Sequence, residues 1–340
     1  KIELPTHTNP LVAKNQKIFR ETITGTKLDK NWSVSEGNLS CAHPHEVIHS
    51  PVRQDKYCVI SVIIPTFNRP ELIEQAVASA AAQPVAGIEV IVIDDAGTPL
   101  PAELVEKWQT RPITIVRHKQ NLGPGAAKNT GLSLSRGTWI VTLDDDQQLI
   151  PGALHVALER ANHVKTHVVY CDYLRLHNIS DAIAEQIYSR PPPTIEELLG
   201  IENKIINGTL LVHKELAEKI GGFREDLGVQ ENYNFNLRLA SVISPMHVAA
   251  PLMSCRMRHD SVQGESGRAE PDQILRNFAA AGLNHQIFRR YFPCSPPLSH
   301  YQREIRYGHI SRALSNGADP ELARELILCW IRELMVGGRM

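Results

Sequence analysis

Polar residues follow three short apolar runs, and their side chains are of the kinds that bind metal ions and nucleotides. Pro65-Thr66-Phe67-Asn68-Arg69 follows the first run, Asp94-Asp95 the second, and Asp144-Asp145-Asp146 the third. Three consecutive carboxylates repel one another at neutral pH unless a positive group compensates, and a hard divalent cation is a common partner. Mg²⁺ or Mn²⁺ held by a carboxylate or two and by substrate phosphates would fit. An acidic surface turn, or Asp and Asn residues that only cap helices, would also give these residue types.

The runs that precede these clusters predict the elements that must position them. Buried strands are indicated at 57–64, 88–93, 113–116 and 139–143, and helices at 71–82, 104–108 and 125–134. Strands that alternate with helices indicate βαβ units and an α/β fold with a mostly parallel sheet flanked by helices. Ligands of such sheets bind at the carboxyl ends of the strands, so we expect the three clusters to meet at one edge.

Two further expectations concern the acidic run and the rest of the chain. Side chains at alternate positions of an extended backbone point the same way, so we predict that Asp144 and Asp146 share one pocket. Later strands are indicated at 168–170 and 208–212, a short helix at 231–239 and an extended segment at 246–256. We divide the chain into an N-terminal extension (1–57), an α/β domain (58–265) and a C-terminal helical subdomain (266–340), whose helices offer a surface for homo-oligomers.

Composition argues against several classes of protein. The chain has 36 Lys and Arg against 37 Asp and Glu, a formal net charge of -1, whereas bulk nucleic acid or an anionic membrane as partner requires a positive excess. No window approaches the roughly 18 apolar residues of a transmembrane helix, and the first residues lack a signal-peptide layout. The six cysteines form no CxxC pair, which favours reduced thiols and a cytoplasmic location.

Four segments, in this order and at these spacings, resemble family 2 glycosyltransferases of the GT-A fold. They are Val62–Arg69, Val92–Asp95, Gly123–Leu132 and Asp144–Asp146. The resemblance covers residues 58–260 approximately, and the extension and the helical tail lie outside it. It implies a GT-A-type sheet and a metal-dependent enzyme that transfers a sugar, with inversion, from a nucleotide-diphosphate donor, with UDP favoured.

The resemblance implies a role for each residue of these segments that matches the family pattern. Pro65, Thr66, Phe67, Asn68 and Arg69 would hold the base and ribose together with Asp95, which would accept a hydrogen bond from a uracil-like imide. Lys128 would lie near the diphosphate. Asp144 and Asp145 belong to the same nucleotide-binding set, with Asp144 at the ribose or at a metal-bound water. The remaining two residues would ligate Mn²⁺ or Mg²⁺: Asp146 and, in the later segment Cys255–Ser261, His259.

The sequence departs from the family pattern at the expected catalytic base. In the family this base is the Asp of a Glu-Asp pair that follows a Gly-Gly-Phe turn. Here Gly221-Gly222-Phe223 is followed by Glu231-Asn232, and an amide cannot act as a base. We predict that Glu231 takes the proton of the acceptor hydroxyl. A carboxylate from elsewhere is an alternative, and the candidates are Asp172, Asp226 and Asp260. Two further alternatives are an acceptor of low pKa, which needs no strong base, and loss of the catalytic step.

The acceptor is left open, as a small molecule, a glycan or a peptide. Two other functions are compatible with the strand-end carboxylates. A catalytically impaired nucleotide-sugar-binding protein is one, and Asn232 favours it. A nucleotidyltransferase is the other, but it would have a Gly-rich basic loop after the first strand, where Thr66–Arg69 has one cation and no glycine.

Overall fold

A computed structural model describes residues 43–51, 58–176, 183–187, 207–225, 231–243 and 245–256. These residues form one ten-stranded sheet with helices on both faces. The predicted C-terminal helical subdomain (266–340), His259 and most of the N-terminal extension lie outside the described residues.

The sheet is built on parallel strands, as predicted. Its strands are β1 His45–His49, β2 Ile60–Thr66, β3 Ile88–Asp94, β4 Ile113–His118, β5 Trp139–Thr142, β6 Gln147–Leu149, β7 Val168–Leu176, β8 Ile183–Ile187, β9 Leu210–His213 and β10 Met246–Arg256. They are ordered β1-β4-β3-β2-β5-β9-β7-β10-β6, and β8 pairs with β7. Strands β2, β3, β4, β5, β7 and β10 run in one direction, and β1, β6, β8 and β9 run against it. The α/β class is therefore confirmed.

In the part of the chain that the structure describes, six helices and one 3₁₀ turn connect the strands. They are α1 Pro70–Ala81, α2 Ala102–Trp108, α3 Pro124–Leu134, α4 Ala153–Val164, the 3₁₀ turn Asn207–Thr209, α5 Lys214–Lys219 and α6 Glu231–Val242. Helices α4 and α5 and the strands β1, β6 and β8 were not predicted from the sequence. The buried side of α4 consists largely of alanines, which give a weak apolar stripe.

The apolar run of β2 is continuous because both of its faces are covered. Ile60, Val62 and Ile64 pack in the core cluster that contains residues of α1 and α4, whereas Ile63 packs with Leu132 of α3 on the opposite face. All four β2 side chains are fully buried, and each contributes roughly 1.5–3 kcal/mol through removal of apolar surface from water. This contact fixes α3 against the strand whose end forms the first polar cluster.

Gly131 allows α3 to approach β2 this closely. A β-carbon at Gly131 would lie only 2.2 Å from Cγ2 of Ile63, a contact that cannot exist without displacement of the helix or the side chain.

We expect Gly131→Ala to destabilise the protein by about 1–3 kcal/mol through overpacking, despite the higher helix propensity of alanine. Chemical denaturation at equilibrium measures this change in the free energy of unfolding. Ala78→Ser, on an exposed position of α1, is the control and should change it by no more than about 0.5 kcal/mol. An unchanged stability of Gly131→Ala would contradict the tight α3–β2 contact.

Candidate active site

The three polar clusters meet at one edge of the sheet, as predicted. Strand β2 lies between β3 and β5 and runs parallel to both, so the carboxyl ends of the three strands are adjacent. Thr66 is paired with Asp94, and the backbone N–H of Asp95 donates to the carbonyl oxygen of Thr66 over 2.9 Å. The edge is thus the place where ligands of parallel α/β sheets bind.

Asp145 braces the loop that follows β2. Its Oδ2 accepts a hydrogen bond from the Thr66 hydroxyl (2.9 Å), and its Oδ1 accepts one from Nη1 of Arg69 (3.1 Å). Burial raises the pKa of Asp145, while the Arg69 charge and the Thr66 hydroxyl act in the opposite direction. Both carboxylate oxygens are therefore engaged with the loop.

The prediction that Asp144 and Asp146 alternate along an extended strand was wrong. Strand β5 ends at Thr142, and the N–H of Gln147 donates to the carbonyl oxygen of Asp144 over 3.0 Å, which closes a turn over 144–147. The two carboxylates nevertheless act on one neighbouring group. Burial and the charges of Asp146 and Asp144 together raise the pKa of the Cys255 thiol to about 12. A turn, rather than strand pleating, brings these two carboxylates to the same region.

Asp95 organises the segment that leads into α3. Its carboxylate accepts hydrogen bonds from the backbone N–H groups of Leu122 (3.0 Å) and Gly123 (2.7 Å), and it lies 2.7 Å from Nδ1 of His118. Nε2 of His118 contacts the hydroxyl of Thr130 at 2.8 Å. A carboxylate has about four lone-pair sites, so these contacts leave room for one more donor, such as the imide of a base.

The loop after β2 carries the other residues expected at the nucleotide. Asn68 has a positive φ of 57°, and its Oδ1 accepts a hydrogen bond from the N–H of Thr98 over 2.6 Å. This contact ties the loop to the one that follows β3. Phe67 is 43% exposed at the sheet edge, and Pro65, two positions before it, is partly buried.

Lys128 is the centre of the site. Its ammonium group lies on α3, is 1% exposed, and donates to Oε1 of Glu231 (2.9 Å) and Oδ1 of Asn232 (2.8 Å). Nζ also lies 3.1 Å from Oδ1 of Asp144. Burial would lower the pKa of Lys128, but the carboxylates of Asp144 and Glu231 raise it well above its ordinary value.

This lysine quartet, defined as Lys128, Asp144, Glu231 and Asn232, joins two halves of the site. Asp144 belongs to the end of β5, and Glu231 and Asn232 open α6. The three partners match in number the three donors of an ammonium group. Glu231 and Asn232 lie 103 and 104 positions from Lys128 along the chain, so no local sequence pattern predicts these two contacts.

The turn before α6 is held by residues that sequence reasoning missed. The amide of Asn129 donates to the carbonyl oxygen of Phe223 (2.8 Å) and accepts from its N–H (2.8 Å). Asn129 also donates to Glu225 over 2.7 Å, and Nε2 of His43 lies 3.0 Å from the same carboxylate oxygen. Arg238 of α6 donates to the carbonyl oxygen of Gly222 over 2.5 Å. The Gly-Gly-Phe turn is thereby fixed to α3 and α6.

The residues of this edge supply two of the ligands expected for a divalent cation. Within the described part of the chain, no group of three or more His, Cys, Asp or Glu side chains is arranged to hold a metal ion. Asp144 and Asp146 offer two carboxylates, which is the number that Mg²⁺ or Mn²⁺ uses together with substrate phosphates. His259, the third expected ligand, lies outside the described residues.

The alternative bases fall in different places. Asp172 lies on β7 with its Oδ1 2.8 Å from Nε2 of His247, whereas Asp226 and Asp260 lie outside the described residues.

Across the ranges that the structure describes, no helix is long and apolar enough to cross a bilayer.

Comparison with known proteins finds similarity in the part of the chain that contains this edge of the sheet. The model of glycosyl transferase family 2 matches residues 61–199. An uncharacterized glycosyltransferase of Haemophilus influenzae is 28% identical over 201 residues, which are 58% of this chain and 68% of that protein. The GalNAc(5)-diNAcBac-PP-undecaprenol beta-1,3-glucosyltransferase of Campylobacter jejuni is 36% identical over 112 residues, which are 32% of this chain and 36% of that protein.

A solved structure shares the fold. S. aureus TarS 1-349 in complex with UDP-GlcNAc matches with a TM-score of 0.56 at 17% identity, over 76% of this chain and 73% of that chain. The matched residues 61–199 include the loop after β2, Asp95, Lys128 and the acidic turn. Residues 61–199 therefore match glycosyl transferase family 2, a family of sugar-transferring enzymes.

Proposed function

We propose that the protein transfers a sugar from a nucleotide-diphosphate donor, with UDP favoured, to an acceptor hydroxyl, with inversion and with Mn²⁺ or Mg²⁺. The observation that carries this proposal is the lysine quartet, because it joins the strand end expected to hold the donor to the helix expected to face the acceptor. TarS, which has the same fold, was solved with UDP-GlcNAc, and this supports UDP as the nucleotide.

The donor half of the proposal uses the loop after β2 and the acidic turn. The exposed Phe67 ring, Asn68 and the remaining acceptor site of Asp95 would receive the base and ribose. Arg69 and Asp145 would keep the loop in place through their ion pair. Asp146, with Asp144, would hold the metal ion, which as a Lewis acid would neutralise charge on the departing diphosphate.

The acceptor half of the proposal assigns the base to Glu231. Its Oε1 is held by Lys128, and among the described residues no donor contacts Oε2, so this oxygen can receive a proton. Glu231 is only 6% exposed, so an acceptor hydroxyl would have to enter the site to reach it. Asn232 contributes a hydrogen-bond acceptor to Lys128 and no proton transfer.

A second candidate function is nucleotide-sugar binding without efficient transfer. Asn232 favours it, because this residue stands where the base of the family is expected and an amide cannot take a proton. Nucleotide binding without turnover would be the signature of this function.

The donor site is tested by thermal unfolding with UDP, GDP, CDP, ADP and dTDP, each with and without Mn²⁺. We expect UDP with Mn²⁺ to stabilise the protein, by about 2.7 kcal/mol at a ligand concentration of 100 times the dissociation constant. Asp146→Ala should abolish the metal-dependent part of this effect. Glu159→Ala, an exposed carboxylate on α4, is the matched control and should leave it intact. Absence of stabilisation by any nucleotide with any metal would contradict the proposal.

The proposed base is tested by the Glu231→Gln variant. Its turnover rate is measured as the release of UDP from a UDP-sugar that the unmodified protein has been shown to bind. Because general-base catalysis contributes typically about 10²–10⁴-fold, we expect turnover to fall by at least about 100-fold while the UDP affinity stays within about twofold. Glu215→Gln, an exposed glutamate on α5, serves as the control. Unchanged turnover of Glu231→Gln, or a large gain of turnover in Asn232→Asp, would show that Glu231 is not the base.

A further inference from the structure

The lysine quartet places an internal cation on one of the carboxylates that a metal ion would use. Nζ of Lys128 lies 3.1 Å from Oδ1 of Asp144, and Oδ2 of the same carboxylate accepts a hydrogen bond from the amide of Gln147 over 3.3 Å. Both oxygens of Asp144 therefore have a partner within the protein. The Asp144 side chain is 30% exposed and that of Lys128 is 1% exposed, so a ligand from solvent reaches this pair through Asp144.

Lys128 has enough other partners to release Asp144. Its ammonium group donates to Oε1 of Glu231 (2.9 Å) and Oδ1 of Asn232 (2.8 Å), and both distances are shorter than the one to Asp144. Nζ also lies 5.7 Å from the centroid of the Phe223 ring, within the range of a cation–π contact. Without Asp144, the buried ammonium group would keep a carboxylate, an amide and an aromatic face, so its charge would stay compensated.

The backbone that carries Lys128 is fixed. The next residue of α3, Asn129, pairs with both the N–H and the carbonyl oxygen of Phe223 at 2.8 Å. An exchange of partners at Asp144 therefore involves the side chains of Lys128 and Asp144 and needs no movement of the helix.

Two cations on one carboxylate repel each other. If Asp144 were shared between Lys128 and a divalent ion, two positive groups would face each other across a single carboxylate in a poorly solvated place. The repulsion falls when the ammonium group turns towards Glu231, or when further negative charge is added. A nucleotide diphosphate adds this charge, and its phosphate oxygens are ligands that hard cations use. The charge pattern of the quartet thus links metal binding to the nucleotide.

We propose that Lys128 is a positioning residue that holds Asp144 until a nucleotide diphosphate binds with its metal ion. The free protein accordingly binds Mn²⁺ weakly, and the nucleotide complex binds it tightly, with Lys128 then held by Glu231 and Asn232. The proposal rests on the proposed function, because it takes Asp144 and Asp146 as the carboxylates of the metal site. It concerns how that site is controlled.

The Mn²⁺ affinity of the full chain tests this proposal without any turnover. Electron paramagnetic resonance measures the free ion, and a titration of UDP without protein corrects for the Mn²⁺ that the nucleotide binds in solution. In the unmodified chain we expect UDP to tighten Mn²⁺ binding at least about tenfold. Lys128→Met should tighten Mn²⁺ binding in the absence of UDP by at least about tenfold, because Asp144 loses its internal cation.

Two matched controls separate this effect from a general change of charge. In the Asp144→Asn background, Lys128→Met should change the Mn²⁺ affinity by less than about threefold, because the carboxylate that the lysine occupies is already gone. Arg69→Met removes the cation that contacts Asp145 in the same acidic turn. Because Asp145 is not an expected metal ligand, this variant should also change the affinity by less than about threefold.

A neutral substitution covers the case in which Lys128→Met folds poorly, which thermal unfolding would reveal. Asn232→Ala removes one acceptor from Lys128 without changing any charge. The lysine then depends more strongly on Asp144, so we expect Mn²⁺ binding in the presence of UDP to weaken at least about threefold. A general charge effect predicts no change for this variant.

Three results would overturn the proposal. The first is that the unmodified chain binds Mn²⁺ as tightly without UDP as with it. The second is that neither Lys128→Met nor Asn232→Ala changes the affinity in the expected direction. The third is that Lys128→Met gives the same gain in the Asp144→Asn background, or that Arg69→Met gives it too. The donor site of the proposed function would survive each of these results if UDP with Mn²⁺ still stabilised the protein. Absence of Mn²⁺ binding in every variant, with and without UDP, would contradict the proposed metal dependence and this proposal together.

Discussion

A buried ammonium group is the constraint on which the rest of the site depends. Lys128 can remain inside the protein only because two carboxylates and an amide surround it, since an unpaired buried charge is very costly. Its partners come from the end of β5 and from the start of α6. The lysine on α3 therefore requires the three elements to meet at one point, and it couples the expected donor side of the site to the expected acceptor side.

Close packing of α3 makes this meeting possible. At Gly125, a β-carbon would lie 2.4 Å from the carbonyl oxygen of Arg224, so only glycine lets the first turn of the helix rest on the Gly-Gly-Phe turn. Asn129, one residue after Lys128, then pairs with both backbone groups of Phe223. The helix thus holds the cation and, on its next residue, the turn that leads to the partners of that cation.

The charge balance of the quartet gives a physical account of Asn232. With an aspartate at this position, three carboxylates would surround one buried ammonium group, and the mutual repulsion of the carboxylates would raise their cost of burial. An amide supplies the same hydrogen-bond acceptor without the third negative charge. The departure from the family pattern at position 232 is consistent with the way in which Lys128 is used in this chain, and it leaves Glu231 as the carboxylate at the start of α6.

The sequence predicted the sheet edge but not how its charges are compensated. Continuous apolar runs ending in polar residues indicated parallel strands, and such strands bring Thr66, Asp95 and the acidic run together. The quartet could not be predicted, because no local pattern links Lys128 to Glu231. The alternation expected for Asp144 and Asp146 failed because a backbone hydrogen bond to Gln147 turns the chain immediately after β5.

That turn changes what the run of three aspartates implies. Their number suggested that a bound metal ion must offset their repulsion, but the protein supplies two cationic side chains of its own. Arg69 contacts Asp145, and Lys128 contacts Asp144, so the three identical residues have three different electrostatic environments. The run itself is therefore weaker evidence for a metal ion than its composition suggests. The expectation of a metal ion therefore rests mainly on Asp146. For Asp144 to serve as a second ligand, a bound cation has to compete with Lys128 for its carboxylate.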